Sequence, residues 1–261
     1  YFGPQDTTVA AVDHPGNRLW DQPIGVFHGN HGFASSPTIA GDVVCVQLDQ
    51  EHDGALHGLD AATGEIHWQV RRGDAKETYA TPCLIETVVD GQSRTAVIDS
   101  STAGGMRAVD AETGNVVWQY ADAHPVRCVS SPVPVGGLIL GGCGGGGGGV
   151  QLVAVEHNGL PTNPPKVRWE LKRDIPYVPC PLSDGERVYL WQDRGVVACV
   201  ELESGEQLWK KRVGGNYYSS PILVGGKIYG VSRAGEVVVL AASDKYRLLG
   251  RHELGEASHA T

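Results

Sequence analysis

Two short segments of the sequence contain residue types and spacings that could support chemistry. His28 and His31 are three residues apart, close enough for two imidazoles to ligate one metal ion. The glycine-rich run 141–149 offers backbone amides of the kind that cradle phosphate groups. The histidines stand alone in an apparent loop, and neither a Lys-Ser/Thr step nor a helix follows the glycines. We therefore predict no metal at the histidines, and at 141–149 a flexible connection between two strands.

Other catalytic motifs are absent from the sequence. It contains no G-x-S-x-G nucleophile turn, no H-E-x-x-H metal motif and no C-x-x-C pair. The wide spacing of the cysteines argues against a zinc ribbon and leaves any disulfide unassigned. An isolated cysteine in a strand is usually a small buried apolar residue. We expect that role for all six, which are Cys45, Cys83, Cys128, Cys143, Cys180 and Cys199.

Charge and apolar pattern exclude two classes of partner. With 21 Lys and Arg against 30 Asp and Glu, the formal net charge is −9, whereas nucleic-acid binding needs clustered cations. No apolar run is long enough to cross a bilayer as a helix. The 36 glycines and 15 prolines interrupt almost every stretch that could form a long helix. We therefore predict an all-β chain with no nucleic-acid partner and no transmembrane segment.

A short pattern recurs along the chain and ends each time in tryptophan. In its fullest form it is Ala-x-Asp-x-x-Thr-Gly-x-x-x-Trp, from Ala108 to Trp118. The acidic side chain can accept hydrogen bonds from turn amides, and glycine supplies the positive φ that a tight turn needs. Each copy therefore predicts a β-hairpin. The tryptophans that end the five copies are Trp20, Trp68, Trp118, Trp169 and Trp209.

A proline step, usually Ser-Pro or Thr-Pro, precedes each later hairpin. Proline fits the opening of a strand, where its missing amide costs little. The spacing of these steps is the size of a four-stranded propeller blade. Pro37, Pro82, Pro132, Pro181 and Pro221 stand 45, 50, 49 and 40 residues apart.

The repeats predict an all-β propeller of four-stranded antiparallel blades. We count five full blades, with 1–20 as the last two strands of an earlier blade and the final residues as the start of a later one. A β-sandwich would lack the repeat, and helical repeats would show helices. We expect one domain over 1–261, truncated at both ends, from a ring of about seven or eight blades. The missing strands are expected before Tyr1 and after Thr261.

The motif from Ala108 through Asp110, Thr113 and Gly114 to Trp118 resembles the tryptophan-docking motif of the pyrroloquinoline-quinone-like (PQQ-like) repeat family. The resemblance covers nearly all of the chain. It implies that each of the five tryptophans packs between adjacent blades, while Trp191 lies off this register and is expected in the core. The family contains quinoprotein alcohol and sugar dehydrogenases. It also contains non-catalytic propellers such as the lipoprotein of the outer-membrane β-barrel assembly machinery.

The resemblance leaves an enzyme and a scaffold as alternatives. A quinoprotein dehydrogenase needs PQQ, a calcium ion beside it and an aspartate base, and many such alcohol dehydrogenases carry two adjacent cysteines. The chain has no Cys-Cys step, no recognisable catalytic aspartate segment and no long insertion that would build a substrate cap. We therefore expect no catalytic residue and no cofactor. PQQ with calcium is expected only if the chain is a fragment of a quinoprotein dehydrogenase.

Propeller geometry predicts where a ligand or partner would bind. The loops that precede the proline steps all emerge on one face around the central channel. Aromatic and hydrogen-bonding side chains gather there, and the alternative is that the tyrosines only plug the channel or pack on their neighbours. A guanidinium in this place needs an acidic partner or an anionic ligand. The expected surface consists of His31, Tyr79, Arg127, Tyr177, Asn216, Tyr217 and Tyr218.

These features together favour a non-catalytic, exported propeller that serves as a binding or assembly scaffold. Its expected partner is another protein or an unidentified small ligand. The family resemblance, rather than any leader in the sequence, implies the periplasm or the cell surface (extracellular side) of a bacterium.

Overall fold

The structure, a computed structural model, describes residues 6–28, 32–146, 148–157 and 164–259. Within these ranges the chain is almost entirely β-strand, and the helical content is one 3-10 turn at Ala121–Ala123. The expectation of an all-β chain is confirmed. The glycines and prolines account for it, because they interrupt helices and punctuate short strands.

The strands form one two-stranded sheet followed by five four-stranded sheets, numbered here as sheets 1 to 6 in chain order. Sheet 1 holds β1 (Asp6–Val12) and β2 (Arg18–Val26). Sheet 2 holds β3 (Thr38–Ala40), β4 (Val43–Leu48), β5 (Gly54–Asp60) and β6 (Ile66–Gly73). Sheet 3 holds β7 (Cys83–Val89), β8 (Gln92–Ser101), β9 (Gly105–Asp110) and β10 (Val116–Tyr120). Sheet 4 holds β11 (Val133–Val135), β12 (Leu138–Gly145), β13 (Gly148–Glu156) and β14 (Val167–Leu171). Sheet 5 holds β15 (Leu182–Ser183), β16 (Arg187–Trp191), β17 (Val196–Glu201) and β18 (Gln207–Arg212). Sheet 6 holds β19 (Ile222–Val224), β20 (Lys227–Val231), β21 (Glu236–Ala241) and β22 (Leu248–Glu253).

Each four-stranded sheet is an antiparallel meander in which sequential strands are neighbours. In sheets 2 to 5 the second and third strands are largely buried on both faces, as in β4, where all six residues are buried, whereas β20 of sheet 6 alternates. The fourth strand alternates, as in β6, where exposed and half-buried residues follow one another. A strand covered on both faces needs a continuous apolar run, and a strand covered on one face needs alternation. The five full blades and the partial first one that the sequence predicts are therefore present as sheets.

The chain divides into two compact units. Unit 1 contains sheets 1 to 3, and unit 2 contains sheets 4 to 6. Each unit has its own apolar clusters between neighbouring sheets. In unit 1 these centre on Val46 and Leu59 and on Leu56 and Val97.

In unit 2 the apolar clusters lie between sheets 4 and 5 and between sheets 5 and 6. Trp191 belongs to the second of these and is fully buried, as the sequence predicts. All six cysteines are free, four of them buried and two, Cys83 and Cys180, half-buried. Burial raises the pKa of the Cys45 thiol to about 12, so this thiol stays protonated at neutral pH.

In sheets 2 and 3 the tight turn of the repeated hairpin is built by its own acidic residue. Asp60 Oδ1 accepts hydrogen bonds from the amides of Ala62 and Thr63, at 3.0 and 2.7 Å, and the amide of Gly64 donates to the Asp60 carbonyl. These bonds hold the pKa of Asp60 below its usual value. Asp110 makes the same bonds in sheet 3.

The turn glycine is needed for a second reason, because an indole from the preceding sheet lies against it. Gly64 has φ +79°, and a Cβ built on it would lie 2.5 Å from the ring of Trp20. Gly114 and Gly205 stand in the same relation to Trp68 and Trp169. Each close approach joins two neighbouring sheets within one unit.

A hydrogen bond accompanies each of these contacts. The indole Nε1–H of Trp20 donates to the Ala61 carbonyl of the next sheet, and that of Trp68 donates to Ala111, both at 3.0 Å. In unit 2, Trp169 donates to Leu202 at 2.7 Å and Trp209 to Ser243 at 3.0 Å. A buried indole N–H needs such an acceptor, so the bond fixes the angle at which one sheet meets the next.

A small residue stands opposite each tryptophan on the neighbouring strand. The five cross-strand partners are Ala11, Gly58, Ala108, Ala154 and Cys199. Sheet 6 departs from this rule, because Gly250 occupies the tryptophan position and pairs with the larger Val239. The sequence pattern does not single out this exchange, since the last hairpin lacks the acidic turn motif.

The glycine run was expected to be a flexible connection, and that prediction is wrong for the described residues. Gly141 to Gly145 continue β12 and pair with β13, so Gly141 faces Val153 and Gly145 faces Gly148. Gly144 and Gly149 are needed because the loop that contains Pro176 and Tyr177 lies directly on their backbone. A Cβ on Gly149 would lie 2.4 Å from the carbonyl oxygen of Pro176.

We expect Gly58→Ala to destabilise the protein by about 1–3 kcal/mol, because the new Cβ would lie 2.1 Å from the indole of Trp68. The matched control is Gly250→Ala, whose Cβ meets only the flexible ring of His252 at 3.1 Å. The control should shift the free energy of unfolding by no more than about 0.5 kcal/mol. Urea unfolding followed by tryptophan fluorescence measures both, and equal midpoints for the two variants would contradict the indole contact.

Candidate binding surface

The candidate surface consists of loops at one end of the strands. In an antiparallel meander the connection from the second to the third strand leaves at the same end as the connection that follows the fourth strand. The loops predicted from the proline steps therefore lie beside turns that the sequence analysis did not consider. We define the loop face of unit 2 as residues 172–181, 192–195, 213–220, 232–235 and 254–259.

Backbone hydrogen bonds join these loops into one surface. The amide of Tyr217 donates to the Asp193 carbonyl at 2.8 Å, and the amide of Arg233 donates to the Asn216 carbonyl at 2.7 Å. The amide of Ser258 in turn donates to the Arg233 carbonyl at 3.2 Å. The side chains on these loops are thus positioned by sheets 5 and 6, and the side chain of Asn216 points outward with an exposed residue surface.

An aromatic and cationic cluster lies at the centre of the last two loops. The guanidinium carbon of Arg233 lies 4.5 Å from the ring centroid of Tyr218, within the range of a cation–π interaction. The ring of His259 meets Tyr218 edge-on at 6.4 Å. Tyr218 is 42% exposed. In the part of the chain that the structure describes, the buried Nε of Arg233 has no hydrogen-bond acceptor and no carboxylate lies within 4 Å of this guanidinium.

Tyr177 and Tyr217 are held more tightly than Tyr218. The carboxylate of Asp193 accepts the amides of Tyr177 and Val178, at 2.8 and 3.1 Å, and Tyr177 is half-buried. Tyr217 is fully buried, and its ring packs edge-on against Trp191 with 5.2 Å between centroids. Burial raises the pKa of the Tyr217 phenol to about 12. The side chain of Tyr217 is therefore part of the core of unit 2, not of its exposed surface.

In unit 1 the structure brings Tyr79 and Arg127 together. The amide of Tyr79 donates to the Cys128 carbonyl at 3.0 Å, and the Arg127 guanidinium lies 5.8 Å from the Tyr79 ring centroid. Arg127 Nη2 donates to Glu77 Oε2 at 2.8 Å, and the Glu77 side chain is 3% exposed. The sequence predicts either an acidic partner or an anionic ligand for Arg127. The structure shows the acidic partner, Glu77.

Of the two histidines considered as a metal-ligand pair, only His28 lies within the described residues. His31 lies outside the described residues, and the amide of His28 donates to the Gln50 side chain at 2.8 Å. Among the described residues there is no group of three or more His, Cys, Asp or Glu side chains that could hold a metal ion.

A buried ionic network lies behind the loops of unit 1. The Arg72 guanidinium contacts both Asp49 and Asp99, and all three side chains are fully buried. Arg107 Nη2 adds a second cation, 2.9 Å from Asp99 Oδ2. Burial opposes ionisation of Asp99, but Arg72 and Arg107 outweigh it and hold the pKa of this carboxyl below its usual value.

The network is electrically balanced and closed to solvent. Gln47 Nε2 donates to Asp49 at 3.1 Å and to the Ser100 carbonyl at 2.6 Å. His124, which is buried, lies 3.1 Å from the Ser100 hydroxyl. Two acidic side chains face two guanidiniums, and burial raises the pKa of Asp49 whereas Arg72 and Arg107 hold that of Asp99 low. The mutual pairing of these buried groups is suited to holding sheets 2 and 3 together.

The sequence analysis missed the partners of the predicted residues. Arg233, Arg194 and Asp193 lie in turns between second and third strands, and Glu77 precedes Tyr79 by two positions. The signal was available in the repeat, because those turns align with one another and leave their sheets at the same end as the predicted loops.

Known proteins resemble this chain in sequence and in fold. A family model described as outer membrane protein assembly factor BamB matches residues 5–247. The chain belongs to this PQQ-like, BamB-type repeat family. The match extends from the first sheet into the last one, so the family assignment covers both units.

One curated relative is the outer membrane protein assembly factor BamB of Marinobacter adhaerens. It is 31% identical over 81 residues, which are 31% of this chain and 20% of the relative. The chain thus matches about a fifth of the length of that BamB protein.

Solved structures share the fold at low identity. BamB from Moraxella catarrhalis has a TM-score of 0.70 at 18% identity, covering 98% of this chain and 71% of that one. The Dos1 propeller has a TM-score of 0.65 at 14% identity, over 97% and 66% of the two chains. Quinohemoprotein alcohol dehydrogenase from Comamonas testosteroni has 0.60 at 13% identity, over 93% and 55%. The predicted β-propeller fold and the PQQ-like resemblance are confirmed.

The described ranges contain no helix that is both long enough and apolar enough to span a bilayer.

We expect Asp99→Asn to destabilise the protein by about 3–5 kcal/mol, because it leaves two buried guanidiniums with the single carboxylate of Asp49. The matched control is Asp53→Asn, at a carboxylate that is 85% exposed and 3.8 Å from Arg71. The control should change the free energy of unfolding by at most about 0.5 kcal/mol. Urea denaturation measures the free energy of unfolding of both variants. A loss in Asp99→Asn no larger than that in the control would show that solvent reaches the ionic network.

Two buried histidines predict a loss of stability in mild acid. Burial lowers the pKa of His124, and that of His57, to about 4. Both imidazoles stay neutral in the folded protein while the unfolded chain protonates near pH 6.5, so stability is present above that pH and is lost as pH falls towards 4. Each histidine should cost about 2 kcal/mol at pH 5 relative to pH 7.5. His124→Gln should reduce the pH dependence by that amount in urea unfolding, and an unchanged pH dependence would refute the assignment.

Proposed function

We propose that this protein is a non-catalytic, exported β-propeller that binds a protein partner through the loop surfaces of its two units. The observation that carries the proposal is the match of a BamB assembly-factor model to residues 5–247. Because relatives are known as outer membrane protein assembly factors, we infer an assembly or scaffold role in the periplasm or at the cell surface of a bacterium. The chain matches only part of its curated relative, so the partner of the whole protein belongs to this proposal.

The chemistry of the loops supports a binding role. They present exposed or half-buried aromatic and hydrogen-bonding side chains on turns fixed by strands, as a recognition surface requires. The side chains that we assign to partner contact are Tyr79, Arg127, Tyr177, Asn216 and Tyr218, whereas Tyr217 supports them from the core. We assign the structural role of joining neighbouring sheets to four tryptophans, and for Trp118 that role stays a prediction; the four are Trp20, Trp68, Trp169 and Trp209.

A quinoprotein dehydrogenase is the second candidate, because quinohemoprotein alcohol dehydrogenase shares the fold. PQQ with calcium would be its cofactor. The chain contributes neither adjacent cysteines nor an acidic cluster with metal-ligand spacing in the described ranges. Saturable PQQ binding in the presence of calcium, with turnover in a dye-linked dehydrogenase assay, would replace the scaffold proposal with this one.

Site-specific photocross-linking tests the scaffold proposal. We expect p-benzoylphenylalanine at position 79 or 216 to give a discrete cross-linked protein adduct in bacteria that export the chain. The control position is 247, because Arg247 is exposed in the turn between β21 and β22, at the opposite end of the strands. Mass spectrometry identifies the adduct. Equal adducts from 79, 216 and 247, or none from the two loop positions, would contradict the proposal.

A further inference from the structure

Charge is divided unevenly between the two units. Unit 1 contains 7 Lys and Arg against 17 Asp and Glu, a net charge of −10. Unit 2 contains 14 against 13, a net charge of +1. The overall charge of −9 therefore conceals a unit that can present local positive charge, and such an asymmetry is typical of a surface that selects its partner by charge.

Four cations that have no salt bridge within the described residues lie at the loop face of unit 2, whereas Lys227, Lys245 and Arg247 lie at the opposite end of the strands. Arg173, Arg194 and Arg233 lie within it, and Arg212 ends β18 at the same side. Throughout the ranges that the structure describes, none of these four guanidiniums has a carboxylate within 4 Å. Most other arginines of the chain do have one, as Arg127 has in Glu77.

The acidic residues of the same face do not neutralise these cations. Asp174 accepts a salt bridge from Lys210 at 2.8 Å, and Asp193 is buried with its carboxylate on backbone amides. Glu253 ends β22 at this side and Glu256 lies just beyond it, and both are exposed. The four guanidiniums therefore outnumber these two free carboxylates, and the surface carries a local positive charge.

Arg233 has the geometry of a carboxylate receptor. The Tyr218 ring lies 4.5 Å from its guanidinium carbon and restricts this half-buried side chain, whose buried Nε has no acceptor within the described residues. A fixed planar fork binds a carboxylate through two parallel hydrogen bonds and loses little side-chain entropy in doing so. The neighbouring Arg194 is exposed, held by a bond of 3.5 Å from Nη2 to the Gly146 carbonyl.

We propose that the loop face of unit 2 binds an acidic protein segment, with Arg233 and Arg194 receiving its carboxylates and Tyr218 packing beside them. The inference rests on the proposed scaffold function and names the chemistry of its partner. Four guanidiniums suit a short segment with a few carboxylates. A long polyphosphate or an anionic membrane needs more clustered cations than these four guanidiniums supply, whereas a short segment with a few carboxylates can be satisfied by them.

Fluorescence anisotropy with a labelled oligoglutamate peptide tests the proposal on the full chain. We expect saturable binding that weakens with added salt, and no binding of the isosteric oligoglutamine peptide. The double variant Arg194→Gln/Arg233→Gln should weaken binding at least about tenfold, which corresponds to about 1.4 kcal/mol. Arg247→Gln, which removes the same charge at the opposite end of unit 2, should leave the affinity within about twofold. Arg233→Lys keeps the charge without the planar fork and should lose part of the affinity.

Three results would overturn the proposal that the loop face binds an acidic segment. They are equal binding of oligoglutamine, an unchanged affinity in the double variant, and tighter binding of single-stranded DNA or phosphatidylglycerol vesicles that the double variant abolishes. The urea midpoints of the variants, expected to match that of the original protein, separate lost binding from lost folding.

Cross-linking from position 216 separates this inference from the scaffold proposal. Loss of the adduct in the double variant, but not in Arg247→Gln, supports an acidic partner. An adduct that persists undiminished in the double variant overturns the acidic partner and leaves the scaffold function in place. Absence of any adduct in the original protein counts against the scaffold function itself, whatever the peptide measurements give.

Discussion

The contact between an indole and the glycine turn of the next sheet is the constraint on which the rest of the structure depends. A four-stranded sheet with apolar residues on both faces cannot remain alone in water, and each unit buries those faces between neighbouring sheets. Apolar packing is non-directional. The bond of Trp68 Nε1–H to the Ala111 carbonyl, with Gly114 under the ring, adds a directional contact between sheets 2 and 3.

That contact explains why glycine and other small residues recur where the sequence could have used larger ones. Gly58 lies under the ring of Trp68 from the same sheet, and Gly114 lies under it from the next. In sheet 6 the sizes of the two paired residues are reversed, because Gly250 takes the place of the tryptophan and the larger Val239 stands opposite it. The face of sheet 6 is consequently built differently from those of the other four-stranded sheets.

Charge distinguishes the interior of unit 1 from the surface of unit 2. Arg72 and Arg107 are buried with Asp49 and Asp99, because a guanidinium can leave water only when carboxylates replace its hydration. Arg233 instead lies on an aromatic ring at the edge of solvent, within a loop that sheets 5 and 6 position. The same residue type therefore serves cohesion in unit 1 and, in our proposal, recognition in unit 2, and the groups around it make the difference.

The sequence by itself determined the strands, the hairpin turns and the number of four-stranded sheets, because these depend on local patterns: an acidic residue, a glycine and an indole at fixed offsets. It also placed Tyr79 and Arg127 on loops at one end of the strands. It did not indicate that Tyr217 is buried while Tyr218 is exposed, since adjacent residues in a loop have no periodicity that assigns one of them to the core. The partners of Arg127 and of Tyr218 and the pairing of the glycine run in β12 and β13 were decided by tertiary structure alone. Each of these contacts joins residues that are far apart in the sequence, and a local sequence pattern does not specify which distant segments come within a few ångströms of each other.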